Sequence, residues 1–158
     1  MACECGSADR DTVRLPYKDM SDCYDLQRFL DAQSKVYDDV RAELRMGDKQ
    51  GHWMWFIFPQ IRGLGHSAMA IRFAISSREE AEAYLEHPVL GPRLRECTRL
   101  VNAVEERSIE RIFGYPDDLK FRSSMTLFAN VTEDNQVFLE ALRKYCGGEF
   151  DRLTLERL

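Results

Sequence analysis

The sequence predicts an all-α fold: a single compact multi-helix domain behind a disordered N-terminal tail. Three observations carry that expectation. Apolar residues recur at spacings of three and four through most of the chain, the period of helices with one buried face. Start and stop signals bracket those runs, with Ser77, Ser108 and Asp151 before them and Gly47, Gly114 and Gly147-Gly148 after them. No segment alternates apolar and polar residues as a half-buried strand would. A chain of 158 residues suits one domain, and at 44% hydrophobic it has the material for a core.

Residues 1–20 carry few apolar side chains at any regular period and read as a flexible tail, leaving 21–158 as the helical domain. Cys3 and Cys5 have no second thiol pair near them in the sequence and read as tail thiols rather than metal ligands. From a cap at Ser21 or Asp22, the residues Leu26, Phe29, Leu30, Val36, Tyr37, Val40 and Leu44 predict one long amphipathic helix stopped by Gly47. The run His52-Trp-Met-Trp-Phe-Ile-Phe-Pro-Gln60 is the most apolar in the chain. Periodicity leaves it open between a buried strand and a buried helix. Arg62-Gly-Leu-Gly65 is a loop, and a short helix follows over about 67–75.

Ser77-Arg-Glu-Glu80 is a capping box opening a helix through Tyr84 and Leu85, which must end by His87 because Pro88 follows. Gly91-Pro92 places proline at the first position of the next helix, with Leu94, Cys97, Leu100, Val101 and Val104 on its apolar face. Ser108 caps a short segment ending at Gly114. Pro116-Asp117 opens a helix with Phe121, Met125 and Phe128 on one face. A further helix carries Val137, Phe138, Ala141, Leu142 and Tyr145, and Asp151 caps a last short one.

Composition excludes several functional classes. A formal charge of −5 is a poor match for a general nucleic-acid binder. No apolar run approaches the roughly 20 residues that span a bilayer. The start lacks the basic and apolar regions of a secretory signal, and five irregularly spaced cysteines form no disulfide framework, so a cytoplasmic protein with free thiols is expected. No phosphate-binding glycine loop, dinucleotide fingerprint, nucleophile elbow or zinc-protease motif occurs, so no cofactor is expected. The histidines His52, His66 and His87 do not share a helical turn, and no metal site is predicted.

Charge placement is the informative feature. From Lys49 through Arg78 there is no acid, where the chain's average would put about five. Yet Lys49, Arg62, Arg72 and Arg78 are present. Two further acid-free stretches run from Leu119 to Val131 and from His87 to Arg95. Guanidinium forks with hydroxyls and glycine-loop amides suit a phosphate or carboxylate. The expected site joins the His52–Gly65 segment to the Lys120–Ser124 segment. Arg62, Arg72, Lys120 and Arg122 would contact the anion, with Ser123, Ser124 and the Gly63 and Gly65 amides beside them. Trp53, Trp55 and Gln60 would form the walls, and His52 would supply acid–base work if there is catalysis.

Each assignment has a plainer counterpart. Large aromatics dominate protein interiors, so the tryptophan run reads first as core and second as a stacking surface. The cations can pair with acids such as Asp117 and Asp118. Ser123 and Ser124 can bond the preceding helical turn.

Several blocks together resemble a known family: His52 to Gln60 followed by Arg62-Gly-Leu-Gly65, then Tyr84-Leu85 with His87-Pro-Val-Leu-Gly-Pro-Arg-Leu-Arg95, then Ile112-Phe-Gly114 and Pro116 to Phe128. From about Asp25 to the C-terminus the chain is similar to the domain of unknown function 1810 family. The resemblance implies a compact all-α domain in which the aromatic run is helical or irregular, and it implies no activity. The label calpastatin-like, attached to some relatives, fits poorly, since such inhibitors are disordered repeats. The expected partner is therefore a small anionic ligand, nucleotide-like or phosphorylated. The alternative is a protein-interaction module using the same helices as a groove.

Overall fold

The computed structural model describes residues 23–158. The expected tail over 1–20, Cys3 and Cys5 within it, and the cap at Ser21 or Asp22 lie outside the described residues. The described chain is all-α. Its elements are α1 (Gln27–Ser34), α2 (Tyr37–Met46), α3 (Met54–Ile57), α4 (Ala68–Arg72), α5 (Arg78–Glu86), α6 (Leu90–Ala103), α7 (Ile109–Phe113), α8 (Asp117–Ala129), α9 (Gln136–Cys146) and α10 (Arg152–Arg157). Among the described residues, sheet-like pairing is confined to one parallel bridge between Ile61 and Ile75. No helix there is long and apolar enough to cross a membrane.

Local chemistry explains most boundaries. Ser67, Ser77, Ser108 and Asp151 each accept a backbone N–H from the first turn of α4, α5, α7 and α10. Gly47 and Gly147 close α2 and α9 in the left-handed conformation. His87 is extended at the end of α5, as Pro88 requires.

Three expectations need correction, and one open reading is decided. The long first helix is two, because the chain turns at Lys35 and Val36. The turn lets α1 pack on α3 while α2 packs on α6, so each buries its face against a different partner. The aromatic run, left open by periodicity, is one short helix, α3, followed by irregular backbone, as the family resemblance implies. Only half of the capping box forms, since the Glu80 carboxylate bonds Ser76 rather than Ser77. Pro92 is not the first residue of α6, which begins at Leu90. The ring of His87 caps that helix instead, its Nδ1 accepting from Val89 N at 3.1 Å and Leu90 N at 3.2 Å.

Helix α8 is the centre of the molecule, packed by α5, α7, α9 and α10. Every residue from Ser123 to Ala129 is buried, so it has no single apolar stripe over that half. Around it Phe58 meets Phe121 edge-on at 5.1 Å, Phe113 stacks on Phe121 at 5.0 Å, and Phe128 contacts Tyr84 at 5.4 Å. Where α5 turns into α6 the backbones nearly touch. A side chain at Gly91 would place its Cβ 2.0 Å from the Leu85 carbonyl oxygen. This frame fixes the segment from Trp53 to Ser76 against the core.

Candidate ligand-binding site

The structure distributes the expected site residues over two hollows, the core and the surface. A small hollow is lined by Trp55, Gln60, Gly63, Gly65, Phe73 and Lys120 among others. The expected joining of the glycine loop to Lys120 therefore takes place. Its free volume is about 10 Å³, room for one water. Lys120 stands over the Trp55 ring at 5.2 Å and pairs with Asp117 at 3.1 Å, while Lys49 pairs with the other oxygen of Asp117 at 2.8 Å. Burial works against the Asp117 charge, but the two lysines outweigh it and hold its carboxyl below the usual range. Lys120 is thus neutralised in the way the plainer reading anticipates.

The wider hollow lies on the other side of Ala74, which lines both. Its volume is about 330 Å³, and Tyr24, Asp25, Arg28, Arg62, Ile71, Arg72, Ser76 and Glu80 line it. Arg62 and Arg72 make no ion pair with a carboxylate among the described residues. The backbone that carries them is held in place. Arg62 N donates to Ile75 O at 2.8 Å, and Ile75 N donates to Gln60 O at 2.8 Å, so the two segments carrying the arginines are tied together. The Arg72 guanidinium lies over the Phe73 ring at 5.2 Å.

Arg28 is the third cation of the wider hollow, and it is fully occupied. Its Nε donates to Arg72 O at 2.9 Å. Nη1 donates to the carbonyls of Tyr24 at 2.6 Å and Asp25 at 2.8 Å. Nη2 donates to Ala74 O and to the Glu80 carboxylate, each at 2.9 Å. A guanidinium has five N–H groups, and all five are used.

Other expected residues fall elsewhere. Trp53 is sealed in the core at 2% exposure, its indole N–H given to Glu43 at 3.0 Å, so it offers no face to a ligand. Arg122 turns away to the carbonyls of Glu149 and Phe150 and to the Glu149 carboxylate. Ser123 is buried on Leu119 O and Asp151, and the Ser124 hydroxyl is buried without a partner among the described residues. His52 is exposed and lines neither hollow.

Sequence reasoning missed Tyr24, Arg28, Ser76 and Glu80 in the wider hollow. Arg28 and Glu80 are 52 positions apart, and no local pattern announces a pair at that separation. It also missed Arg157, which lies against Gly63: a Cβ there would come within 2.7 Å of Arg157 Nε. Gly63 itself has φ +101°, a conformation side-chain-bearing residues rarely adopt.

A compact helical domain with an arginine-lined hollow beside an aromatic core is the class these observations define. Residues 23–158 match the family described as Protein of unknown function (DUF1810), and the chain belongs to that family. It is similar to the crystal structure of the conserved hypothetical protein Rv1873 from Mycobacterium tuberculosis. The two are 62% identical with a TM-score of 0.85, over 85% of this chain and 96% of that one. No curated protein matches the chain.

Proposed function

We propose that the domain binds a small anionic ligand in the wider hollow, with Arg62 and Arg72 as its anion contacts. The observation that carries this reading is that these two guanidiniums, unlike Lys49, Lys120 and Arg122, have no carboxylate partner among the described residues and line one concavity. Its volume of about 330 Å³ is at the small end for metabolite sites. The smaller hollow holds too little and is charge-balanced, and Trp53 is unavailable for stacking a base. A thermal-shift screen of phosphorylated and carboxylated metabolites tests the proposal. A ligand at ten times its Kd contributes about 1.4 kcal/mol, a rise of roughly 3–5 °C for a domain of this size. That rise should vanish in Arg62→Ala and Arg72→Ala. No rise with any anion at millimolar concentration would refute it.

A second reading, a protein-interaction module, is favoured by one observation. Tyr115, just before α8, and Leu119, in its first turn, are 82% and 50% exposed. Under that reading Tyr115→Ser with Leu119→Ser weakens capture of a protein partner and leaves the anion-induced thermal shift unchanged.

A further inference from the structure

We propose that the wider hollow is a seat for a phosphomonoester in its dianionic form, held by Arg62 and Arg72, with Arg28 as the positioning residue that never touches it. The proposal rests on the anion-binding reading above and narrows its chemistry. Three guanidiniums face the hollow, Arg28, Arg62 and Arg72, against two carboxylates, Asp25 and Glu80. Arg28 and Glu80 neutralise each other at 2.9 Å. With every N–H of Arg28 committed to Tyr24, Asp25, Arg72, Ala74 and Glu80, that side chain has no donor left for a ligand. Among the described residues, what remains without a partner of opposite charge is two planar forks and the Asp25 carboxylate, so the cations still outnumber the acid. Two side-on forks together present about four donors, which would use every acceptor site of one carboxylate, whereas a phosphate has sites to spare. The three terminal oxygens and double charge of a phosphomonoester suit both forks at once.

Arg28 acts through geometry. It grips the carbonyls of Arg72 and Ala74, fixing the backbone from which the Arg72 fork projects, and the Ile61–Ile75 bridge fixes Arg62 to that same stretch. The backbone of the seat is therefore organised before any ligand arrives, which lowers part of the ordering cost of binding.

Among the described residues, the titratable groups facing the hollow are Cys23, Tyr24, Asp25, Arg28, Arg62, Arg72 and Glu80, and no histidine is among them. Histidine is the side chain whose ordinary titration falls between pH 6 and 7.5. A change of affinity across that range therefore reports the ligand's own second ionisation, at about pH 6 for a phosphomonoester. The range stays above the pI of about 5.3, where solubility falls.

Calorimetry on the full chain tests this with methyl phosphate as probe, and with dimethyl phosphate and acetate as permanent or near-permanent monoanions. Methyl phosphate should bind at pH 7.5 and weaken about twofold at pH 6.0, as half of it loses its second charge. The monoanions should bind at least tenfold more weakly. Arg62→Ala and Arg72→Ala, both at exposed positions, should each weaken methyl phosphate about tenfold or more, and the lysine variants should recover part of the loss. Equal binding of all three anions with no pH dependence would overturn the dianion assignment and leave anion binding standing. Absence of binding by every anion, or alanine variants that bind like the parent, would overturn both.

Discussion

Glu43 shows how a single carboxylate organises a loop. One of its oxygens accepts from Gln50 N at 2.7 Å, Gly51 N at 2.8 Å and Trp53 Nε1 at 3.0 Å. Burial works against its charge, but these three donors and nearby Lys49 prevail, so its carboxyl is held below the usual range. A carboxyl depressed in the folded state contributes stability that is present above the unfolded value, near pH 4.5, and is lost as pH falls through the folded one. Glu43→Gln should cost about 1–3 kcal/mol at pH 7 and flatten the fall in stability below pH 4.5, as read by urea unfolding at several pH values. At this scale the sequence was half legible. Arg62 and Arg72 stood out because acids are absent for 30 residues around them, and they are indeed unpaired by acids among the described residues. Glu43 and Arg28 could not stand out, because what they hold lies elsewhere in the chain.

Helix ends are where local sequence speaks most directly. The serine and aspartate caps form at Ser67, Ser77, Ser108 and Asp151, each within reach of its own first turn. The break between α1 and α2 was hidden, since nothing in a run of periodic apolar residues says that its halves serve different neighbours. Pro92 points to a later start for α6 than the structure has, and the cap belongs to His87. Two backbone N–H groups point at its Nδ1, which must be unprotonated to accept them. Burial, with Arg93 nearby, lowers the tendency of this ring to take a proton. The sign follows: a ring kept neutral in the fold contributes stability present above the unfolded value of about 6.5 and lost as pH falls below it. Stability should therefore fall between pH 7.5 and 5.5. His87→Ala should be less stable at pH 7.5 and lose that slope in urea titrations.

Across the whole molecule, Arg28 links segments that are otherwise far apart: the turn at Tyr24 and Asp25, the stretch from Arg72 to Ala74, and Glu80 in α5. The Glu80 side chain is only 3% exposed, so removing its partner leaves a buried charge uncompensated. Arg28→Ala should lose about 3–5 kcal/mol in urea unfolding, and adding Glu80→Gln should recover much of it. Equal losses in the single and double variants would show that the carbonyl contacts, not the charge, matter. The all-α class was legible from periodicity alone. The way two hollows divide the expected site was not, because it depends on how α4 and its flanking segments sit against α8.

The contact between Arg157 and Gly63 has a practical consequence. The last helix rests on the turn that immediately follows Arg62, so residues fused beyond Leu158 emerge next to the arginine-bearing loop. Affinity handles placed at that end can perturb ligand measurements even when the fold is intact, so such a handle should be cleaved before binding is measured.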